Sequence, residues 1–284
     1  MQSVRTLTIG MALVLASLAA APALEVTSGL GRRLYALPDN AAIAAARKQL
    51  QAHPSDPKLV LALSLAEAGQ RQYREAVATD TRGLAASPAN AALLLERGHR
   101  ELGLREFAAA QRDLERAVQL DPAQLQAHYH LGLAHYFQGQ FAAASESFRR
   151  ARDLARSNDD LIDCSNWLYV SLRRAGQEKA AAAALERIRP GVTNTEPHLA
   201  FYLRLIHFYQ GKLQETHLLP PKPKDPADTE AELAYDTVAY GLGNWHLYHK
   251  DEARARELFR SVVGGAAWNA WGFVGSEAEL IRRR

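Results

Sequence analysis

Apolar side chains recur along this chain at three- and four-residue spacing, in runs closed by proline or glycine, and such a pattern predicts α-helices along most of its length. The runs also repeat. Pro54, Pro88 and Pro122 are 34 residues apart, and each closes a run. Gly98 and Gly132 keep the same interval, as do Ala76, Ala110 and Ala144, and likewise Ala117 and Ala151. Tyr73, Phe107 and Phe141 share one register, Leu114 and Phe148 another. A pair of antiparallel helices per period explains these residue types. A small residue on the first helix and an alanine on the second let the backbones approach closely, and large side chains fill the gaps beside them. The proline stops the second helix because it lacks an N–H and restricts the residue before it. One pair cannot bury its apolar face alone, so the pairs must stack into a solenoid.

At these positions the chain resembles the tetratricopeptide repeat (TPR) family, most completely in the copy with Leu131, Gly132, Gly139, Phe141, Ala144, Phe148 and Ala151. The resemblance implies an all-α TPR solenoid of five to six helix–turn–helix repeats with an added helix at each end. Four repeats are expected within residues 57–190, the fourth displaced by an insertion at Ser157 to Asp159. Residues 191–217 read as an incomplete repeat whose helix, Pro197 to Tyr209, carries the stripe Tyr202, Leu205, Ile206 and Tyr209. Residues 218–230, with four prolines, read as a loop. The last repeat falls in 231–267, starting near Asp236. In residues 24–56, Asp39 is expected to cap a lone helix ending at His53. Residues 268–284 are expected to form a closing helix over the last repeat, from Trp268 to Arg283.

Composition narrows the function classes. A 48% hydrophobic fraction is ample for a core. A net charge of +3 in 284 residues is too small and too dispersed for a nucleic-acid partner. The single cysteine, Cys164, excludes an internal disulfide and a Cys-rich zinc site. It reads as a small buried hydrophobe, with an intermolecular disulfide as the other reading. Residues 1–23 have the form of an export signal: Arg5, an uncharged apolar stretch from Leu7 to Ala20, then Ala21-Pro22-Ala23 before Leu24. That stretch is short for a membrane span of ~20 residues. The expectation is a periplasmic or secreted bacterial protein with no stable anchor after cleavage. Removing residues 1–23 leaves 33 basic against 31 acidic side chains and no methionine.

No catalytic motif stands out. There is no H-E-x-x-H, G-x-S-x-G, P-loop or S-x-x-K, and no cofactor is expected. His128 and His135 share a helix face but lie seven residues apart, about 10.5 Å, too far for one metal without a neighbouring ligand. They read as core or half-buried histidines. His246 and His249 lack a third ligand, so no metal is expected.

In TPR arrays the first helices line the concave groove. By that resemblance the groove of this chain would display Arg97, His99, Arg100, Tyr129, Leu133, Tyr136, Asn166, Arg173, Arg174, Tyr240 and Asn244. Aromatics supply contact area, arginines pair with carboxylates, and asparagines bond main-chain amides, so the set suits a peptide or extended protein partner. The Lys/Asn/Arg clamp of chaperone-binding TPR domains is not reproduced, since Lys58 and Asn166 fall in different repeats. The last third is also similar to periplasmic TPR lipoprotein adaptors, which bring cell-wall hydrolases to a processing protease, although no lipidation cysteine is present. The resulting expectation is a non-enzymatic exported adaptor or scaffold. The alternatives are an envelope component that self-associates, as a homo-oligomer, end to end or through the helix around Trp268 and Trp271, and an unrecognised ligand-binding protein or enzyme using the histidine-rich third repeat.

Overall fold

The computed structural model describes residues 23–225 and 227–284, so the segment read as an export signal lies, up to residue 22, outside the described residues. Two antiparallel strands come first, β1 (Leu24–Thr27) and β2 (Arg33–Tyr35), with Val26 opposite Leu34. Periodicity predicts no strand here, because elements of three and four residues are too short to show one. The helix α1 (Ala41–Ala52) ends at His53 as expected, but Asn40 caps it, its Oδ1 accepting from Ile43 N at 3.0 Å. Asp39 instead pairs with Arg47 at 2.9 Å and accepts from Gln72 Nε2 at 3.0 Å. Nor is α1 alone, since it packs on α2 (Pro57–Gly69) as a second helix packs on the next repeat.

The chain then folds as an all-α solenoid of antiparallel helix pairs. The helix α2 pairs with α3 (Tyr73–Ala86), α4 (Ala91–Gly103) with α5 (Phe107–Leu120), and α6 (Leu125–Phe137) with α7 (Phe141–Leu154). In the fourth repeat α8 (Asn158–Arg174) starts directly after the cap Ser157, so the expected insertion is its first turn. Its partner α9 (Glu178–Ala184) has only seven residues. The incomplete repeat is α10 (Leu199–Tyr209), followed by one 3₁₀ turn at Glu215–His217 and the proline loop. The last repeat joins α11 (Thr229–Tyr248) to α12 (Glu252–Val263), and α11 begins two turns before Asp236 because Asp228 caps it. The closing helix α13 (Trp271–Arg282) is shorter than expected, a turn from Ala266 to Ala270 taking up Trp268. Among the described residues no helix is long and apolar enough to cross a membrane.

The period has the physical origin the small residues imply. A Cβ on Gly98 would sit 2.7 Å from Leu114 Cγ, and one on Gly132 would sit 2.8 Å from three Phe148 ring atoms. Gly243 repeats the arrangement against Phe259. The turns between paired helices share a second signature, a residue with positive φ: Arg71, Arg105, Gly139, Gly176, Gly211 and Lys250. An L side chain there costs roughly 1–2 kcal/mol, so a non-glycine at this place needs compensating contacts.

Burial separates two layers. In the outer helix α5 only Ala110, Leu114 and Ala117 are buried, the single stripe of a surface helix. In α6 every residue from Ala127 to Phe137 is buried, and so is every residue of α8 from Cys164 to Leu172. The inner layer is therefore covered on both sides. Replacing Gly132 with valine is expected to lower unfolding free energy by about 1–3 kcal/mol, as overpacking does. Gly69→Ala, where an added Cβ meets nothing within 4 Å, should leave it unchanged or slightly raised. Urea denaturation of the two variants checks the contrast.

Candidate functional site: the concave face

The cover on the inner layer comes from the chain itself. The helix α13 lies against α11 and α12 and also reaches α6 across the concave side. Trp271 at its start sits 5.4 Å from the His99 ring, 6.1 Å from His130 and 6.1 Å from Phe137, centroid to centroid. Farther along, Glu279, only 1% exposed, takes a bidentate pair from Arg174 (2.7 and 3.1 Å) and further bonds from Arg282 and Arg283. Burial alone would raise the Glu279 pKa, but these three guanidinium groups outweigh it and hold the carboxyl below its ordinary value.

The same helix closes the solenoid onto its beginning. Glu277 accepts from Gly29 N at 2.7 Å with one oxygen and from Arg105 Nε at 3.1 Å with the other. Arg105 also donates to Trp268 O at 2.9 Å and stands 5.7 Å from the ring centroids of Trp268 and Phe273. These contacts hold the left-handed backbone at Arg105. Arg32 of the hairpin reaches Val263 O at 2.5 Å. One apolar cluster consequently joins Val26 and Leu34 of the hairpin to Leu258, Trp268 and Phe273 at the other end. Trp268 is thus interior, whereas Trp271 stays half-buried.

This closure corrects the expected groove. Leu133, Tyr136, Asn166, Tyr240 and Asn244 are buried. Tyr136 donates to Asn244 Oδ1 at 2.8 Å, Arg174 donates to the same oxygen at 2.9 Å, and Asn244 Nδ2 donates to Tyr240 O at 3.1 Å. Arg173 lies 4.4 Å over the Tyr248 ring and pairs with Glu178. Arg97 points away from the concavity and forks onto Asp113 of α5 at 2.5 and 2.8 Å. Three of the expected set remain together facing open space: His99, Arg100 and Tyr129.

They line a crevice of about 460 Å³ near the first turns of α6, α8, α10 and α13, with Gln126, His130, Asp163, Tyr202 and Trp271. It continues on one side into a space of about 390 Å³ by Pro197, Phe201 and Glu230, sharing His198, Leu233, Asn269 and Ala270. On the other side it opens into a pocket of about 160 Å³ that adds Asp159, Asp160 and Glu196. The His99 and His130 rings stack with centroids 4.0 Å apart. Burial pushes the His130 pKa down to about 4, and burial together with His130 and Arg100 depresses His99. At neutral pH both are flat aromatic walls, not cations. Burial raises Asp163 to about 7, Asp160 adds to the rise, and the bond accepted from Tyr129 OH at 3.0 Å opposes it.

Two further histidines of the third repeat are buried and bonded: His128 meets Pro122 O at 3.0 Å and His135 meets Gln140 Oε1 at 2.7 Å. Among the described residues no group of three or more His, Cys, Asp or Glu has the geometry to hold a metal ion. Cys164 is fully buried, and burial pushes its thiol well above the ordinary value, which removes the intermolecular-disulfide reading for this conformation. A separate cavity of about 390 Å³ lies between α1 and α3, but its main polar groups, Glu67, Thr79 and Arg82, bond one another.

No protein-family model matches the chain, and no curated protein matches its sequence. Among solved structures, the crystal structure of MamA is 20% identical, with a TM-score of 0.46 over 50% of this chain and 81% of that one. MamA 41-end from Desulfovibrio magneticus RS-1 is 23% identical, with a TM-score of 0.46 over 51% and 81%. YrrB, described as a TPR protein with an unusual peptide-binding site, is 15% identical, with a TM-score of 0.48 over 78% and 93%. With identities this low and TM-scores below 0.5, the fold assignment rests on the helix pairs of this chain itself.

Two outcomes follow for the buried acids. Glu279→Gln should destabilise the protein by about 3 kcal/mol at pH 7, since it strips a buried carboxylate from its arginines. The folded pKa is depressed, so that stability is present above the unfolded value of about 4.5 and is lost as pH falls through the lower folded value. Urea titrations of wild type and variant should converge there. Asp236 behaves oppositely. It is 1% exposed, neither of its oxygens has a partner, and burial with Glu232 nearby raises it to about 8. Folding then favours its protonated form, so stability should fall as pH rises from about 4 to about 8. Asp236→Asn should flatten that slope in the same titrations.

Proposed function

We propose that this TPR solenoid is a non-catalytic scaffold that holds an extended peptide segment of a protein partner in the crevice beside α6, α8 and α13. The observation that carries the reading is the crevice itself, the open remainder of a concave face that is otherwise sealed. Its 460 Å³ falls within the range of ligand sites, and its walls, Tyr129, Tyr202, Trp271 and the histidine pair, are aromatic with polar groups set among them. Aromatic walls give contact area at low entropic cost, and the amide of Gln126 can bond a main chain. Nothing in the crevice pairs a nucleophile with a base: the Cys164 thiol is held protonated, and His130 Nδ1 is engaged with Gln126 O at 2.8 Å.

The reading includes export through residues 1–23. The strand β1 begins at Leu24, and Arg74 N donates to Glu25 Oε2 at 3.0 Å, so a chain starting at Leu24 keeps its hairpin docked. N-terminal sequencing of the exported protein should then read from Leu24.

Gln126 and His198 line the crevice with exposed side chains, so tryptophan at both would fill it without touching the core. The double variant should melt like wild type and lose the partners that wild type retains from a periplasmic extract. Identical capture by both proteins would count against the crevice as the binding site.

A further inference from the structure

We propose that the cavity between α1 and α3 is a second binding site, which takes a small amphipathic amine, its protonated amino group on Glu67 and its aliphatic body against the opposite, apolar end. This cavity shares no lining residue with the concave crevice, so the two sites are independent. Its shape is the first observation. The helices α1 and α3 both pack on α2, and the space left between them is about 390 Å³, within the range of small-ligand sites. One end is walled by Leu50, Pro54, Pro57, Val60 and Ala86. Gly83 lies beside them, and a Cβ there would stand only 2.7 Å from Val60 Cγ1. Because α2 and α3 run antiparallel, Glu67 near the end of α2 and Glu75 and Thr79 in the first half of α3 gather at the other end, with Arg47 of α1.

The second observation is the Glu67 carboxylate. Glu67 is only 3% exposed, yet it lines the cavity. One of its oxygens accepts from Thr79 Oγ1 at 2.8 Å. The other, Oε1, has no hydrogen-bond donor among the described residues and meets only Arg47 Nη2, at 4.0 Å. Both arginines of the cavity are engaged elsewhere, Arg47 with Asp39 at 2.9 Å and Arg82 with Thr79 Oγ1 at 2.9 Å. Burial raises the Glu67 pKa and Glu75 adds to the rise, while the bond from Thr79 and the two arginines oppose it without reversing it. A buried carboxylate oxygen without a donor is costly, and an ammonium group in the cavity supplies the missing hydrogen bond. An anion would meet two carboxylates and two arginines that already have acceptors. Among the described residues no group of three metal ligands exists here either. A primary amine on an aliphatic chain satisfies both ends at once.

The probes are hexylammonium, butylammonium and hexanol, titrated at neutral pH into the full chain in a calorimeter. Hexylammonium should fill one saturable site and bind about tenfold tighter than hexanol, as a hydrogen bond to a charged group provides. Butylammonium should bind more weakly, by about fourfold for each methylene lost. Glu67→Gln keeps an acceptor for Thr79 and should erase the preference for the ammonium over the alcohol. Gln51 is exposed on the cavity wall next to Leu50, so Gln51→Trp should fill the apolar end and weaken hexylammonium and hexanol together. That variant leaves the core untouched and should melt as wild type does, so its result stands even where Glu67→Gln folds poorly. Absence of saturable hexylammonium binding, equal affinity for hexanol, or binding unmoved by Gln51→Trp would each overturn the proposal.

Discussion

The inner helix α6 has no polar stripe, and that lack of polar surface dictates much of what surrounds it. A helix apolar all round must be buried all round. Stacking covers α6 and α8 on the sides facing their partners and neighbouring repeats. Their remaining face, carrying Leu133, Tyr136 and Phe137, would meet water in an open solenoid. The chain meets this demand with its own last elements, laying α11 and α13 across the concavity. The N-terminal hairpin, too short for independent stability, is held because it docks on the same place.

The interior holds several acids, and the protein treats them in two ways. Glu279 is held by three arginines, and Glu277 by Arg105 and the Gly29 amide, so each bridges distant segments. Asp80, Glu101 and Asp236 have no comparable partners, and burial raises them to about 7, 8 and 8. Near neutrality a large share of each is therefore protonated and uncharged. Asp163 belongs with them by pKa but differs in place, since it lies at an opening.

The repeat was legible because each of its positions answers to a local contact. Gly98 against Leu114 and Gly132 against Phe148 are short-range pairs, and the 34-residue interval records them directly. The site was legible only in part. His99, Arg100 and Tyr129 occupy groove positions and do line the crevice. Tyr136, Arg174, Tyr240 and Asn244 occupy equivalent positions but face one another across the closure. No local pattern separates the two sets, because what distinguishes them is how the last helix folds back across the concavity. Nor was the place of Trp271 legible, since a closing helix on the last repeat and one folded into the concavity have the same amphipathic sequence.

A solenoid open at both ends can grow or shrink by whole units, because each unit touches only its neighbours. Here Arg105, in the second full repeat, and Gly29, ahead of the first, both meet Glu277 beyond the last. Their meeting depends on the summed rotation of everything between them. A further 34-residue unit, however well formed, would carry Glu277 past both partners and uncover the inner face. The array therefore has a fixed length, counted by its closure, and duplication of a repeat is a route of change that this architecture has given up.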